Sequence, residues 1–312
     1  MASELDDFLN DDEQEYDWAI PGMLERRDRL IFTGGEGHGK STLLRQMAVT
    51  TSAGLHPLDP TQKIEPLRVL LADFENPKKI LSRSLAALRS KVERANLAVV
   101  SRPEGLDIPG SPDDRKWLRD EILETSPDLL IIGPLYKLAS DDLKEDRVSK
   151  PISTLIDELR AEFGFAVIIE AHSPHAAQGL TRPIRPYGAS LWLRWPEFGL
   201  HLAKDGEIKH YRPPRDSRDW PKSLMRGGDW PWTTDTTTAF TKDDHVKRDI
   251  CEVIKAHSGL FTAGKGKLLG SIKGDRTANF TKIRELVDAG FISEIKYGNA
   301  LHYRLHKMWG ED

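Results

Sequence analysis

One cysteine, Cys251, is all the thiol the chain carries, which excludes an internal disulfide and a multi-cysteine zinc site. That usage fits a reducing cytoplasm. No apolar run approaches the roughly 18–20 residues needed to cross a bilayer. The first twenty residues hold no Lys or Arg, the wrong charge pattern for a secretory leader. A soluble, cytoplasmic protein without a membrane partner is expected. Those twenty residues do hold Glu4, Asp6, Asp7, Asp11, Asp12, Glu13, Glu15 and Asp17, a local charge of −8 in a chain whose total is −4. Residues 1–15 therefore read as an acidic disordered tail. It either solvates the chain, mimics a nucleic-acid phosphate run over a basic groove, or docks on a basic partner.

What is present is dominated by one segment. Gly34-Gly35-Glu36-Gly37-His38-Gly39-Lys40-Ser41 fits G-x-x-x-x-G-K-[ST]. It follows a short apolar strand, Arg29–Thr33, and precedes a helical pattern, Thr42–Ala53, with Leu43, Leu44, Met47 and Ala48 on one face. Glycines let such a loop curl so that successive N–H groups point at phosphate oxygens, and the helix behind it adds the positive end of its dipole. Gly34 to Thr42 would cradle a nucleotide, with Lys40 reaching the β/γ-phosphates and the Ser41 hydroxyl on Mg²⁺. ATP and Mg²⁺ are the expected cofactors.

Strand-like runs at Val69–Phe74, Leu97–Ser101, Leu129–Gly133, Ala166–Glu170, Phe198–Ala203 and Glu207–Tyr211 surround helical patterns at Lys78–Ala95, Asp113–Thr125 and Arg147–Phe163. Alternation of this kind predicts an α/β core over residues 16–212, a mainly parallel twisted sheet with right-handed crossovers and the site at the strands' carboxyl ends. Residues 213–243, rich in Pro, Trp and Thr, read as a linker or a clasp. Residues 244–312 suggest helices at Val246–His257, Lys265–Ile272 and Arg276–Ala289, then a hairpin turning at Gly298-Asn299. Three helices and a hairpin resemble a winged helix-turn-helix.

The run Val69-Leu-Leu-Ala-Asp-Phe-Glu-Asn-Pro77, with Arg83 downstream, resembles the corresponding strand of RecA-like hexameric helicases of the RepA and DnaB type, found in phages, plasmids and mobile elements. The resemblance implies a RecA-like P-loop NTPase core and carries several roles to this chain. Glu75 would be the catalytic base; otherwise it is a surface acid capping the next helix. Pro127–Leu135 follows the family's Mg²⁺ strand except that Gly133 stands in the place of the usual Asp. Three readings stay open: Asp73 takes the metal role, water alone completes the coordination, or hydrolysis is poor. His172, ending the Ala166–His172 run, corresponds to a γ-phosphate sensor, or is a strand-end histidine bonded to backbone.

The segment His175–Gly188 resembles a pore loop in which Arg182 and Arg185 contact DNA phosphates, or is a plain solvated loop. Arg212 and Arg215, with Arg194 in reserve, are candidates for the basic residue a neighbouring subunit donates; the alternative is ion pairing with Asp216 and Asp219. In the C-terminal segment, whose charge is +3, Arg276, Lys282, Arg284 and Lys296 are the DNA-binding candidates, although such domains also mediate protein contacts. Together these imply an ATP-hydrolysing oligomeric motor on DNA, a hexamer by preference, with a replication partner protein. The competing expectation is a DNA-anchored ATP switch, such as a helicase loader or replication-initiation factor, without unwinding. A metabolic P-loop kinase is a third, weaker option.

Overall fold

The structure, a computed structural model, describes residues 16–175, 182–227, 229–234, 242–262, 265–272, 276–297 and 300–307. They belong to two units, the first running to Asp235 and the second starting at Thr236.

In the first unit, short strands β1 (Trp18–Ile20) and β2 (Leu24–Glu25) precede β3 (Arg29–Gly34) and helix α1 (Lys40–Ser52). Then follow β4 (Val69–Asp73), α2 (Lys78–Arg89), β5 (Leu97–Ser101), α3 (Pro112–Thr125), β6 (Leu129–Gly133) and a 3-10 turn at Leu135–Leu138. The unit continues with α4 (Asp146–Phe163), β7 (Ala166–His172), α5 (Leu191–Arg194), β8 (Phe198–Leu202), β9 (Ile208–Arg212), β10 (Leu224–Arg226) and β11 (Trp232–Thr234). Seven strands form one sheet in the order β5-β4-β6-β7-β3-β8-β9. All neighbours are parallel except β9, which runs antiparallel to β8.

Side-chain alternation divides the core. Leu30, Phe32, Val69, Leu71, Leu129, Ile131, Ala166 and Ile168 pack with Leu43, Leu44, Met47 and Leu81 of α1 and α2. Ile31, Leu70, Leu130, Ile132, Val167 and Ile169 pack on the other face with Leu118 and Ile122 of α3 and Ile152, Ile156 and Leu159 of α4. Near-continuous apolar strands are what a sheet covered on both faces requires. Helix boundaries follow local chemistry: Ser111 caps α3 by accepting the Asp114 N–H at 3.1 Å, with Pro112 in the first turn, and Gly164 ends α4 at φ 75°. Helix α2 stops at Arg89, not at Ala95 as its pattern predicts, and the Arg89 guanidinium donates to the carbonyls of Val92 and Glu93 beyond the helix end.

The segment after Arg212 is a clasp as far as Thr234. β10 and β11 pair as a hairpin whose Trp232 is 1% exposed and packs in the same core as α1. Gln46 of α1 holds it at both backbone groups, donating to Trp232 O at 2.6 Å and accepting from Trp232 N at 2.9 Å. Trp220 donates to Met23 O at 2.9 Å, and Trp230 packs on Val49 and Leu88. The first unit extends to Asp235, with Trp230 and Trp232 packed on its helices and Trp220 on Phe32 and Phe198 of its sheet.

The second unit holds α6 (Lys242–Ala256), β12 (Leu260–Phe261), α7 (Lys265–Gly270), α8 (Arg276–Asp288), β13 (Ile292–Tyr297) and β14 (Ala300–Leu305). Its antiparallel sheet has the order β12-β14-β13, so β12 adds a strand to the expected hairpin. Ile250, Cys251, Ile254, Leu268, Ile283, Leu286, Ile292 and Tyr303 form its core. Among the described residues no helix is long and apolar enough to cross a membrane.

Candidate nucleotide-binding site

Every element expected to hold nucleotide meets at the carboxyl edge of the sheet. β3 ends at Gly34, and the loop turns through Gly37 and Gly39 at φ 72° and 87°, a conformation that a residue with a Cβ adopts only at a cost. Helix α1 begins at Lys40 without a side-chain cap on its first turn, which leaves N–H groups and the positive dipole end facing the loop. His38 folds back under the loop, its Nδ1 3.2 Å from Gly35 N and 3.1 Å from Leu202 O. Thr42 is exposed on the first turn.

A buried ion pair lies behind the loop. Lys40 Nζ stands 3.1 Å from Glu170 Oε1, with the two side chains 5% and 13% exposed, and the Ser41 hydroxyl donates to the same carboxylate oxygen at 2.6 Å. Two desolvated charges are tolerated only because each satisfies the other. A phosphate would offer Lys40 the same compensation.

Residues 1–178 match the AAA domain family, more than half of the chain. This protein belongs to that family. No curated protein matches the chain. The match covers β3 through β7 and makes the first unit an AAA/P-loop ATPase-like domain, with the ATP-binding chemistry such domains generally carry out with Mg²⁺.

Within the AAA domain, Glu75 lies just past the end of β4, exposed, and accepts a hydrogen bond from Tyr136 OH at 3.4 Å. It lines a cavity of about 830 Å³ together with Glu36, Tyr136, His172, Arg185 and Tyr187, a volume in the usual range for small-molecule sites. His172, at the end of β7, brings a buried Nδ1 that makes no hydrogen bond and lies 3.9 Å from Glu36 Oε1. Burial, and after it the Lys40 ammonium, lower its pKa, so the ring is neutral at pH 7. A buried ring nitrogen that makes no hydrogen bond, at the rim of such a cavity, suits a phosphate oxygen.

The packing gives the remaining candidates local partners. Asp73, on the α1-facing row of β4 with Val69 and Leu71, has both oxygens engaged: its Oδ2 accepts from Arg45 at 2.9 Å, and its Oδ1 accepts the N–H groups of Glu75 and Asn76 at 3.0 and 2.8 Å. It shapes the turn that carries Glu75. Arg182 is no free pore-loop cation, since it pairs with Glu36 at 2.5 and 2.9 Å and donates to the Ser173 and Pro174 carbonyls. Arg185 is exposed beside the large cavity, and 176–181 lie outside the described residues. Arg212 donates to the carbonyls of Leu193 and Glu197 at 2.9 and 3.2 Å. Because β9 runs backwards, Arg212 pairs with Gly199, at the sheet edge opposite the phosphate loop. Arg215 and Arg194 are exposed.

In the second unit Lys282 is only 14% exposed and pairs with Glu285 at 2.9 Å on its own helix. Arg284 is exposed, 5.5 Å over the Phe280 ring, and Lys296 is exposed on β13. The Arg276 side chain lies outside the described residues.

Three contributors escape sequence reasoning. Arg226 donates to the carbonyls of Gly37 and His38, and Trp232 Nε1 donates to Gly39 O at 3.1 Å, so the clasp braces the phosphate loop from residues nearly two hundred positions away; no local pattern signals that. Glu170 had a signal: a carboxylate inside an otherwise apolar strand, beside a strand that lacks the expected one.

Proposed function

We propose that this AAA domain protein is an ATP-hydrolysing, RecA-like oligomeric motor on DNA, of the replicative helicase or translocase kind. The observation that carries the reading is the joint placement of Lys40, Ser41, Glu75 and His172 at the carboxyl edge of one mainly parallel sheet. Lys40 and the loop amides would bind and orient the triphosphate. Glu75, held out by the Asp73-capped turn and touched by Tyr136, would orient and deprotonate the attacking water. His172 would donate to the terminal phosphate, a hydrogen bond that ends when that phosphate is cleaved off. Mg²⁺ supplies charge neutralisation at the phosphates.

The second unit, with its three helices and three-stranded antiparallel sheet, is read as a winged helix, and Arg284 and Lys296 are its exposed candidates for DNA phosphates. One observation favours the alternative of a DNA-anchored ATP switch. Arg212, a candidate for donation to a neighbouring site, is committed to carbonyls of its own subunit, which leaves exposed Arg215 and Arg194 for a ring. ATP turnover with and without single-stranded DNA, followed by strand displacement on a forked duplex, tests both. A motor shows DNA-stimulated turnover, abolished by Lys40→Ala, and displaces the strand. A switch shows ATP-dependent assembly and duplex binding without displacement. Absence of turnover with every DNA overturns the motor.

A further inference from the structure

Strand register places a gap beside a carboxylate. On β6 the side chains of Leu129 and Ile131 face α1, so position 133 faces it too; on β7 Ala166 and Ile168 face α1, and so does Glu170. β7 lies between β6 and β3, and Glu170 pairs with Phe32, two residues before the phosphate loop. At Gly133 an added Cβ would lie 2.6 Å from Glu170 Cβ and 2.9 Å from Glu170 O. A side chain on β6 at this position would run into β7 at Glu170, so the strand that lacks a carboxylate lies directly against the one that carries it.

We propose that Glu170 supplies from β7 the Mg²⁺-directed carboxylate that the resembling motors carry on the strand of Gly133, acting there with Ser41. The proposal rests on the ATP and Mg²⁺ reading above. Glu170 already accepts the Ser41 hydroxyl at 2.6 Å, the group that the phosphate-loop motif assigns to the metal. Ser41, Asp73, Gly133 and Glu170 also line a cavity of about 10 Å³, about the size that takes one water. Asp73, the other acid there, has its oxygens committed to Arg45 and the 75–76 turn. When Lys40 turns to the phosphates, Glu170 loses its ion-pair partner, and a divalent cation held through Ser41 and water replaces that charge. A carboxylate that served only to park Lys40 would have no reason to respond to metal.

The test is equilibrium binding of a fluorescent ATP analogue to the full chain, first in EDTA and then across a Mg²⁺ titration. Wild type is expected to bind in EDTA and tighten with Mg²⁺. In Glu170→Gln, whatever change in EDTA affinity the release of Lys40 brings, the Mg²⁺ concentration at half-maximal tightening rises about 10- to 100-fold, as for other residues that orient a metal's ligands. Glu170→Asp, which keeps the charge, falls between. Asp73→Asn keeps the wild-type midpoint. An unchanged midpoint in Glu170→Gln overturns the assignment, including the case where affinity rises equally in EDTA and Mg²⁺, the mark of a parking role. So does a shift in Asp73→Asn alone. A wild type that binds no analogue in either condition fails the ATP reading itself, and the assignment with it.

Discussion

Arg182 clamps Glu36 of the phosphate loop, its guanidinium 2.5 and 2.9 Å from the two carboxylate oxygens. The Arg182 side-chain hydrogen bond is the main reason the Glu36 pKa falls to about 2, so the pair is fully charged throughout the range from about pH 4 to 8 and its effect does not titrate there. An acid inside a phosphate loop repels the ligand, and Arg182 offsets that repulsion. Glu36→Gln is expected to raise ATP affinity about three- to tenfold, Arg182→Ala to lower it similarly, and the double variant to return near wild type. The exposed geometry sets that modest size. Isothermal titration with ATP checks the cycle, and a double variant that binds as weakly as Arg182→Ala alone would contradict it.

The clasp makes a stability claim. Trp232 is 1% exposed and bonded at backbone and ring to Gln46 and Gly39. Trp232→Ala is expected to cost about 3–5 kcal/mol and to weaken ATP binding, because the loop loses its brace. A chain ending at Arg212 is expected not to fold. Thermal melts with and without ATP measure both effects.

Gly133→Asp does not restore the expected carboxylate. The new Cβ meets Glu170 Cβ at 2.6 Å and its carbonyl oxygen at 2.9 Å, mostly backbone that cannot yield. A loss of about 1–3 kcal/mol by denaturant unfolding is expected, with no gain in turnover.

Asp128 accounts for part of the acid sensitivity. Burial alone would raise its pKa, but hydrogen bonds from the Arg68 side chain and backbone and from Arg26 outweigh that and hold it at about 2, against an ordinary 3.8. With the folded pKa below the unfolded one, the contribution is present above about pH 4 and disappears as pH falls through about 2. Asp128→Asn is expected to cost about 1–2 kcal/mol at pH 7, with partly exposed Arg68 limiting the effect. The difference from wild type should vanish near pH 2 in urea titrations.

The sheet was legible because both of its faces are buried: runs such as Leu129–Ile132 and Ala166–Ile169 cannot be read otherwise, and the Gly34–Ser41 spacing located the site. The helices of the second unit emerged for the same reason, from apolar stripes at Ile250, Ile254, Ile283 and Leu286. Long-range pairings stayed hidden. Nothing near Arg212 announces that β9 reverses and turns it away from the phosphate loop, and nothing near Glu285 announces that Lys247 of another helix reaches it at 2.8 Å. Gly133 stands out in the sequence as a gap, yet its complement at Glu170 is visible only in the sheet order, where β7 lies next to β6.

Hydrolysis by this domain rests on Glu75 acting upon a triphosphate held by the loop around Lys40. Single-turnover hydrolysis by Glu75→Gln, with nucleotide binding measured on the same sample, tests that directly. The expected result is ATP affinity within about threefold of wild type and hydrolysis slowed by about 10²–10⁴, the usual worth of a general base, while Lys40→Ala loses binding as well. Wild-type hydrolysis in Glu75→Gln would contradict it.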